Sequence, residues 1–262
     1  MTHKFNDRLD RMPRAKSNTD SKTANLPPSR QRLSMTAENY LLSIYRLNEE
    51  GTAVTLTLLA EHLKTLPEGE GLGTSLPTVG GMVRRLQREG MLNLDSKKQL
   101  LLTRKGTRNA ESIVRRHRLA ERMVVDMFDV ELHRAHIEAH LLEHAISPYL
   151  EERIMKKLGL PTTSPFGYPI PGTDFKQKTG AFRLDEAEAG QHLEIDKIPV
   201  DDEVLLEHLV RNNVTPGSAI RISEINTSTG VISFECMNDN VVVGYQVGQS
   251  IWVRQRDDEL SQ

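Results

Sequence analysis

A single cysteine, Cys236, stands in 262 residues, so no disulfide can close within the chain and a reducing compartment is expected. No stretch approaches the ~20 consecutive apolar residues of a membrane-spanning helix. The N-terminus lacks the apolar core of a secretory signal, so a cytoplasmic location with no membrane partner is the expectation. Internal repeats are absent too. Net charge of one sign is also missing, with 34 Lys+Arg against 36 Asp+Glu and a formal charge of -2.

That near neutrality conceals a division. Residues 1–122 hold 22 Lys+Arg against 13 Asp+Glu, or +9, which leaves 12 against 23, or -11, for residues 123–262. A basic half attracts phosphate through counterion release, in a salt-sensitive way. The acidic half suits divalent cations instead. The hydrophobic share of 37% and charged share of 27% describe an ordinary soluble protein, and the length suggests two or three modules.

Residues 1–34 are polar and mildly basic without apolar periodicity, which reads as a disordered tail, either inert or adding non-specific DNA affinity. Tyr40, Leu41, Ile44, Tyr45 and Leu47 then recur at helical spacing up to Gly51. A second helix is expected over 56–63. A third opens at Ser75, a capping residue, with Pro77 in its first turn, and runs to Gly90. MLNLDSKKQLLLTRKG follows, a β-hairpin pattern with a basic tip at Lys97 and Lys98. Three helices and a hairpin, over 35–108, have the order of a winged helix-turn-helix. In such a module the N-terminal residues of the second motif helix reach base edges, here Ser75, Pro77 and Thr78. Arg84, Arg85 and Arg88, with Lys97 and Lys98, are placed for phosphates. The connection over 64–73 is long for this motif, and Gly80 and Gly81 fall early in the reading helix. A winged helix used only for protein contacts is the alternative.

Residues 107–158 read as helical, with breaks near Asp129 and Ser147-Pro148. Five of the nine histidines fall between 117 and 144. His117 and Glu121 are four apart, and His136, His140, Glu143 and His144 follow at i, i+4, i+7, i+8, one face of one helix. Imidazole with carboxylate suits first-row divalent metals, and His133 is a weaker addition. A solvated polar face is the bland alternative. The string from His140 to His144 also fits the H-x-x-E-H pattern of inverted zinc proteases, in which Glu143 would activate water and Glu203, Glu207 or Glu224 would supply a third ligand. A chain this size leaves little room for a protease cleft behind a winged helix. The expectation is therefore no enzyme and no small organic substrate.

PTTSPFGYPIPG, from Pro161, cannot be regular helix. Residues 173–182 read as a linker. AIRISEI, GVISFECM, NVVVGYQV and SIWVRQ are short β segments of a small barrel or SH3-like domain over 183–262. The fold class expected is mainly α, with a β wing and a β C-terminal domain.

RRHRLAERMVVDMF, AHIEAHLLEH and PTTSPFGYPIPG together resemble the diphtheria toxin repressor family of iron- and manganese-dependent regulators, over about residues 34–172. The β-rich end is similar, more loosely, to that family's SH3-like or FeoA-like domain. The resemblance implies a homodimeric repressor of palindromic operator DNA, with a helical metal-binding and dimerisation domain at 109–172 and control of metal homeostasis genes. It implies that His117, Glu121 and His136 form an ancillary metal site and that Glu143 and His144 belong to a primary one. His140 stands where iron-type members have cysteine and the manganese branch has glutamate. Asn39 stands where they have methionine and aspartate. Both still offer donor atoms, so Mn(II), Fe(II) and Zn(II) remain open as co-repressors. By the same resemblance Asp202, with Glu203 nearby, completes the ancillary site from the third domain.

Overall fold

The computed structural model describes residues 33–66, 72–176 and 179–256. Most of the expected tail lies outside these residues. Ser34, assigned to it, instead caps the first helix, its side chain accepting from the Ala37 N–H. The middle of the 64–73 connection is likewise outside.

Three helices make the N-terminal head: α1 (Met35–Glu49), α2 (Leu56–His62) and α3 (Leu76–Arg88). Side chains of Thr55 and Ser75 cap the second and third, satisfying N–H groups left over in the first turn. α1 is central. Its Ala37, Tyr40, Leu41 and Ile44 pack with Leu59, Val79, Val83 and Leu86, and the wing adds Leu92 and Leu100. The wing strands β1 (Leu92–Leu94) and β2 (Leu100–Leu102) pair antiparallel, Leu92 opposite Leu102.

α4 (Arg104–Phe128) is the long spine of the molecule. It crosses behind the head at Gly106, where an added Cβ would lie 2.0 Å from the Met91 carbonyl oxygen. It ends at Asp129 in a left-handed conformation, φ 54°, one of the few non-glycine types that tolerates it. α5 (Leu132–Leu142) and α6 (Pro148–Lys157) fold back on it, packing Leu119, Ala120, Ala139, Ile146, Ile154 and Met155.

The Pro-rich passage lies along the same spine. Prolines leave carbonyls without a local partner N–H, and α4 answers with arginines at i, i+3 and i+7. Arg115 Nη1 donates to the Pro171 carbonyl at 2.7 Å, Arg118 to that of Pro169, and Arg122 Nε to that of Thr163 at 2.9 Å. Phe166 and Tyr168 are thereby delivered into the core of the C-terminal domain.

That domain holds β3 (Phe182–Arg183), β4 (His192–Lys197), α7 (Glu203–Arg211), β5 (Ala219–Asn226), β6 (Val231–Cys236), β7 (Asp239–Gly244), the short α8 (Tyr245–Gly248) and β8 (Trp252–Gln255). The strands form one antiparallel sheet in the order β3-β8-β4-β5-β6-β7. Alternation along β5 and β7 buries one face, with Ile220, Ile222, Val241 and Val243 against Leu206 and Leu209 of α7. The class is mainly α with a β wing and a β C-terminal domain. Among the described residues no helix is long and apolar enough to cross a membrane.

Candidate metal centre and DNA-reading surface

One turn of α4 places His117 and Glu121 on the same face, and one turn of α5 does so for His136 and His140. The two helices bring the four together. Each of His117, His136 and His140 offers a nitrogen within 4.8 Å of the other two. His117 Nε2, His136 Nδ1 and Glu121 Oε1 lie 2.9–3.0 Å from one another. On its other edge His117 Nδ1 is 2.5 Å from Glu143 Oε2. These five residues are buried, none more than 5% exposed.

Such burial disfavours ionised carboxylates, yet the contacts of Glu121 to His117 and His136 outweigh it and hold that carboxyl far below its usual range. Burial likewise opposes the charge on Glu143, and His117 and then His140 overcome it. His136 moves the other way. Burial, then the charge of Arg46, push it down to about 3 against the hydrogen bond to Glu121, so its ring is neutral near pH 7. A neutral imidazole at His136 beside ionised carboxylates at Glu121 and Glu143 suits a divalent cation.

Glu143 joins this group to a second one. Its Oε1 is buried without a hydrogen bond among the described residues and lies 3.2 Å from His144 Nε2 and 3.7 Å from His140 Nδ1. His144 reaches α1, with Nε2 2.7 Å from Asn39 Oδ1 and Nδ1 2.8 Å from Glu38 Oε2. Arg116 braces the contact, donating to Glu38 Oε1 at 2.7 Å and to the Glu143 carbonyl at 3.0 Å. A buried carboxylate oxygen ringed by imidazoles fits a metal ion.

The structure gathers His117, Glu121, His136, His140, Glu143, His144 and Asn39. The helical stripe runs from His136 to Glu143, which caps α5 with helical angles and its N–H on the Ala139 carbonyl. α5 ends at Leu142 with Glu143 as its cap, and an Ala145 N–H to Leu142 carbonyl bond tightens the chain at His144. Asp202 lies elsewhere. It is exposed and caps α7, its carboxylate accepting from the Leu205 N–H at 2.9 Å. Its neighbour Asp201 faces the cluster instead, Oδ1 3.6 Å from His136 Nε2 and 2.7 Å from Arg46 Nη2. The sequence held the signal, because Asp preceding the amphipathic run EVLLEHLVR is a cap, which leaves Asp201 free to turn inward. His133 and Glu203 line a cavity of about 210 Å³ together with His136 and Asp201, outside the cluster of His117, His136 and His140 itself. Arg46, Glu38 and Arg116 carried no sequence signal.

On the head, Ser75, Pro77, Thr78, Arg84, Arg85 and Arg88 of α3 and its cap are exposed, as are Lys97 and Lys98 at the wing tip. Ser75 Oγ and Thr78 Oγ1 share a 2.9 Å hydrogen bond, and Arg85 pairs with Glu89 at 2.8 Å. Asp95 Oδ1 accepts from the N–H groups of Lys97 and Gln99, which fixes the turn that presents both lysines. Gly80 is buried against Leu56 of α2, so it serves helix packing and not approach to DNA.

A winged helix whose central helix is wired into buried imidazoles and carboxylates defines a DNA-binding regulator built around a cation site. Three matches bear on its origin. Residues 32–100 match the N-terminal DNA-binding domain of iron-dependent repressors, 103–172 their metal-binding and dimerisation domain, and 182–255 the FeoA domain. The chain belongs to the iron-dependent repressor family, that of the diphtheria toxin repressor. It is 33% identical over 231 residues to the iron-dependent repressor IdeR of Mycobacterium leprae, covering 83% of this chain and 96% of that protein. It is 38% identical over 139 residues to the diphtheria toxin repressor of Corynebacterium diphtheriae, 53% of this chain and 58% of that one. Among solved structures it is similar to a manganese-dependent transcriptional repressor in complex with manganese, with TM-score 0.74 and 30% identity over 84% of this chain and 100% of that one. The family consists of repressors, and the chain is not an enzyme. The H-x-x-E-H reading falls with it, since Glu143 is fully buried with Oε2 held by His117.

Proposed function

We propose that the chain is a cytoplasmic homodimeric repressor whose affinity for palindromic operator DNA is set by Mn(II) or Fe(II), with Zn(II) as a further co-repressor, and that it controls metal homeostasis genes. The observation that carries the metal assignment is the buried convergence of His117, His136 and His140 with Glu121 and Glu143. His117, Glu121, His136 and His140 would hold one ion, and Glu143, His144 and Asn39 another or the same one. When bound, the cation supplies positive charge that lets side chains of α1, α4 and α5 converge on one point.

The chain's own residues do the rest. Asn39 and Glu38 belong to the helix at the centre of the head, and both contact His144. Fixing His144 therefore fixes the angle of the head on α4. A metal shifts this equilibrium only by its differential affinity for the DNA-competent arrangement. In a homodimer the two α3 helices would then sit one DNA turn apart, ~34 Å. The exposed apolar side chains Phe128, Leu141, Tyr149, Leu150 and Leu160 support pairing through the helical domain. Division of labour follows: DNA reading in 35–108, metal and pairing in 109–172, and a FeoA-like domain that begins with β3 at Phe182, one residue inside the link expected at 173–182.

Gel-shift titration of a palindromic duplex with Mn(II), Fe(II), Zn(II) and chelator tests this reading. His144→Ala should abolish the metal response. Equal DNA binding by His144→Ala and the native chain at every metal level would leave a metal-independent winged-helix regulator.

A further inference from the structure

The last turn of α1 carries Arg46 to the far edge of the metal cluster. Its guanidinium is buried, with Nη1 3.1 Å from His136 Nε2 and Nη2 2.7 Å from Asp201 Oδ1. A guanidinium only donates, so the Nε2 lone pair is the acceptor. No cation can bind His136 and leave that contact in place. If the cation takes Nε2, it takes the lone pair that Arg46 uses. If it takes Nδ1, the neutral ring carries its hydrogen on Nε2, and one N–H then faces another.

We propose that Arg46 is a resident cation that competes with the metal for His136, with Asp201 as its counter-ion in the metal-free chain. The inference rests on the reading of the cluster as the metal centre. Loading the cluster releases Arg46 from the ring. α1 is thus engaged at two places. Asn39 answers to His144, and Arg46, seven residues and about 10 Å further along the same face, answers to His136. Arg46 raises the metal level needed for loading and reports the occupancy of His136 to the reading head and to the segment that leads into α7.

The test is calorimetric titration of the full chain with Mn(II) alone. Arg46→Met should bind Mn(II) about tenfold tighter or more, since the displaced contact is charge-assisted. Arg46→Lys, which keeps the charge, should stay closer to the native value. Arg46→Met/Asp201→Asn removes both charges and should also bind more tightly, which covers loss of folding through a stranded Asp201. Unchanged or weaker binding in both neutral variants overturns the proposal. A second readout needs no affinity. In 1H–15N spectra the guanidinium resonance missing from Arg46→Met should be protected in the metal-free native chain and shift on adding Zn(II). A resonance indifferent to saturating Zn(II) also overturns it. Absence of any Mn(II) uptake by the native chain and by both neutral variants alike would sink the metal-centre reading itself. Uptake by Arg46→Met where the native chain shows none would support the competition.

Discussion

Replacing Glu143 by Gln removes one charge from the point where the two groups of ligands meet. The carboxylate has no exposed surface, accepts from His117 Nδ1 at 2.5 Å and faces His144 Nε2 at 3.2 Å. An amide keeps one acceptor oxygen but turns an NH2 toward one of these imidazoles. Losing a charge-assisted hydrogen bond costs about 1.5–3 kcal/mol. At about 2–4 °C per kcal/mol for a chain of this size, metal-free Glu143→Gln should melt about 3–12 °C below the native chain. Added Mn(II) separates the account from a simple packing defect. At a hundred times its dissociation constant, a ligand specific to the folded state stabilises by about 2.7 kcal/mol, or about 5–11 °C here. The native chain should show that rise and Glu143→Gln should lose most of it. Thermal unfolding followed by circular dichroism, in chelator and in Mn(II), reads both quantities. A variant that melts with the native chain in chelator and still gains the full increment would refute the reasoning.

Other expectations concern pH, packing and DNA. The folded His136 stays neutral down to about 3, while an unfolded histidine takes up its proton near 6.5. Between these values the unfolded chain binds the extra proton, so metal-free stability should fall as the pH is lowered from 6.5. The depressed carboxyls of Glu121 and Glu143 add to the loss once the pH drops below about 4.5, and that of Asp201 below about 3.8. Urea midpoints from pH 8 to 4 should show this, with a shallower decline between 6.5 and 4.5 in His136→Gln. Gly106→Ala should destabilise by about 1–3 kcal/mol, because the new methyl meets the Met91 carbonyl and neither backbone can yield cheaply. A urea midpoint equal to the native one would contradict the crossing described for α4. Arg84→Ala should weaken binding to all duplexes alike and reduce the salt slope of DNA affinity by about 1. An unchanged slope would remove Arg84 from the phosphate-facing surface.

The parts of this architecture that were legible in the sequence are those governed by local rules. Ser75 with Pro77 marks the start of α3 because capping and proline geometry are local effects, and the β5 to β8 segments declare themselves by alternation and turns. The histidine spacing drew attention to the cluster, but not to its shape. Nothing in the 136–144 stretch shows that α5 stops at Leu142 and that His144 turns to Asn39, which depends on how α1 packs. β3, β4 and α7 gave weaker patterns. β4 is six residues long and paired on both edges, so tertiary contact decides it more than its own alternation. Arg46 and Glu38 sit in an amphipathic helix where any polar residue reads as surface, and only the packing of α1 against α4 and α5 buries their face. The Asp201–Asp202 pair shows the same limit at one-residue resolution, with one carboxylate spent on a cap and the other on an arginine.

Fluorescence anisotropy of a palindromic duplex, titrated with Mn(II) at fixed ionic strength and compared with calorimetric metal uptake by the same preparation, is the most direct measurement. DNA affinity should rise with the midpoint at which metal is taken up, and both responses should vanish together in His117→Ala/His140→Ala. Equal affinity in chelator and in saturating Mn(II), with the native cluster loaded, would mean that the buried imidazoles and carboxylates do not govern the reading head.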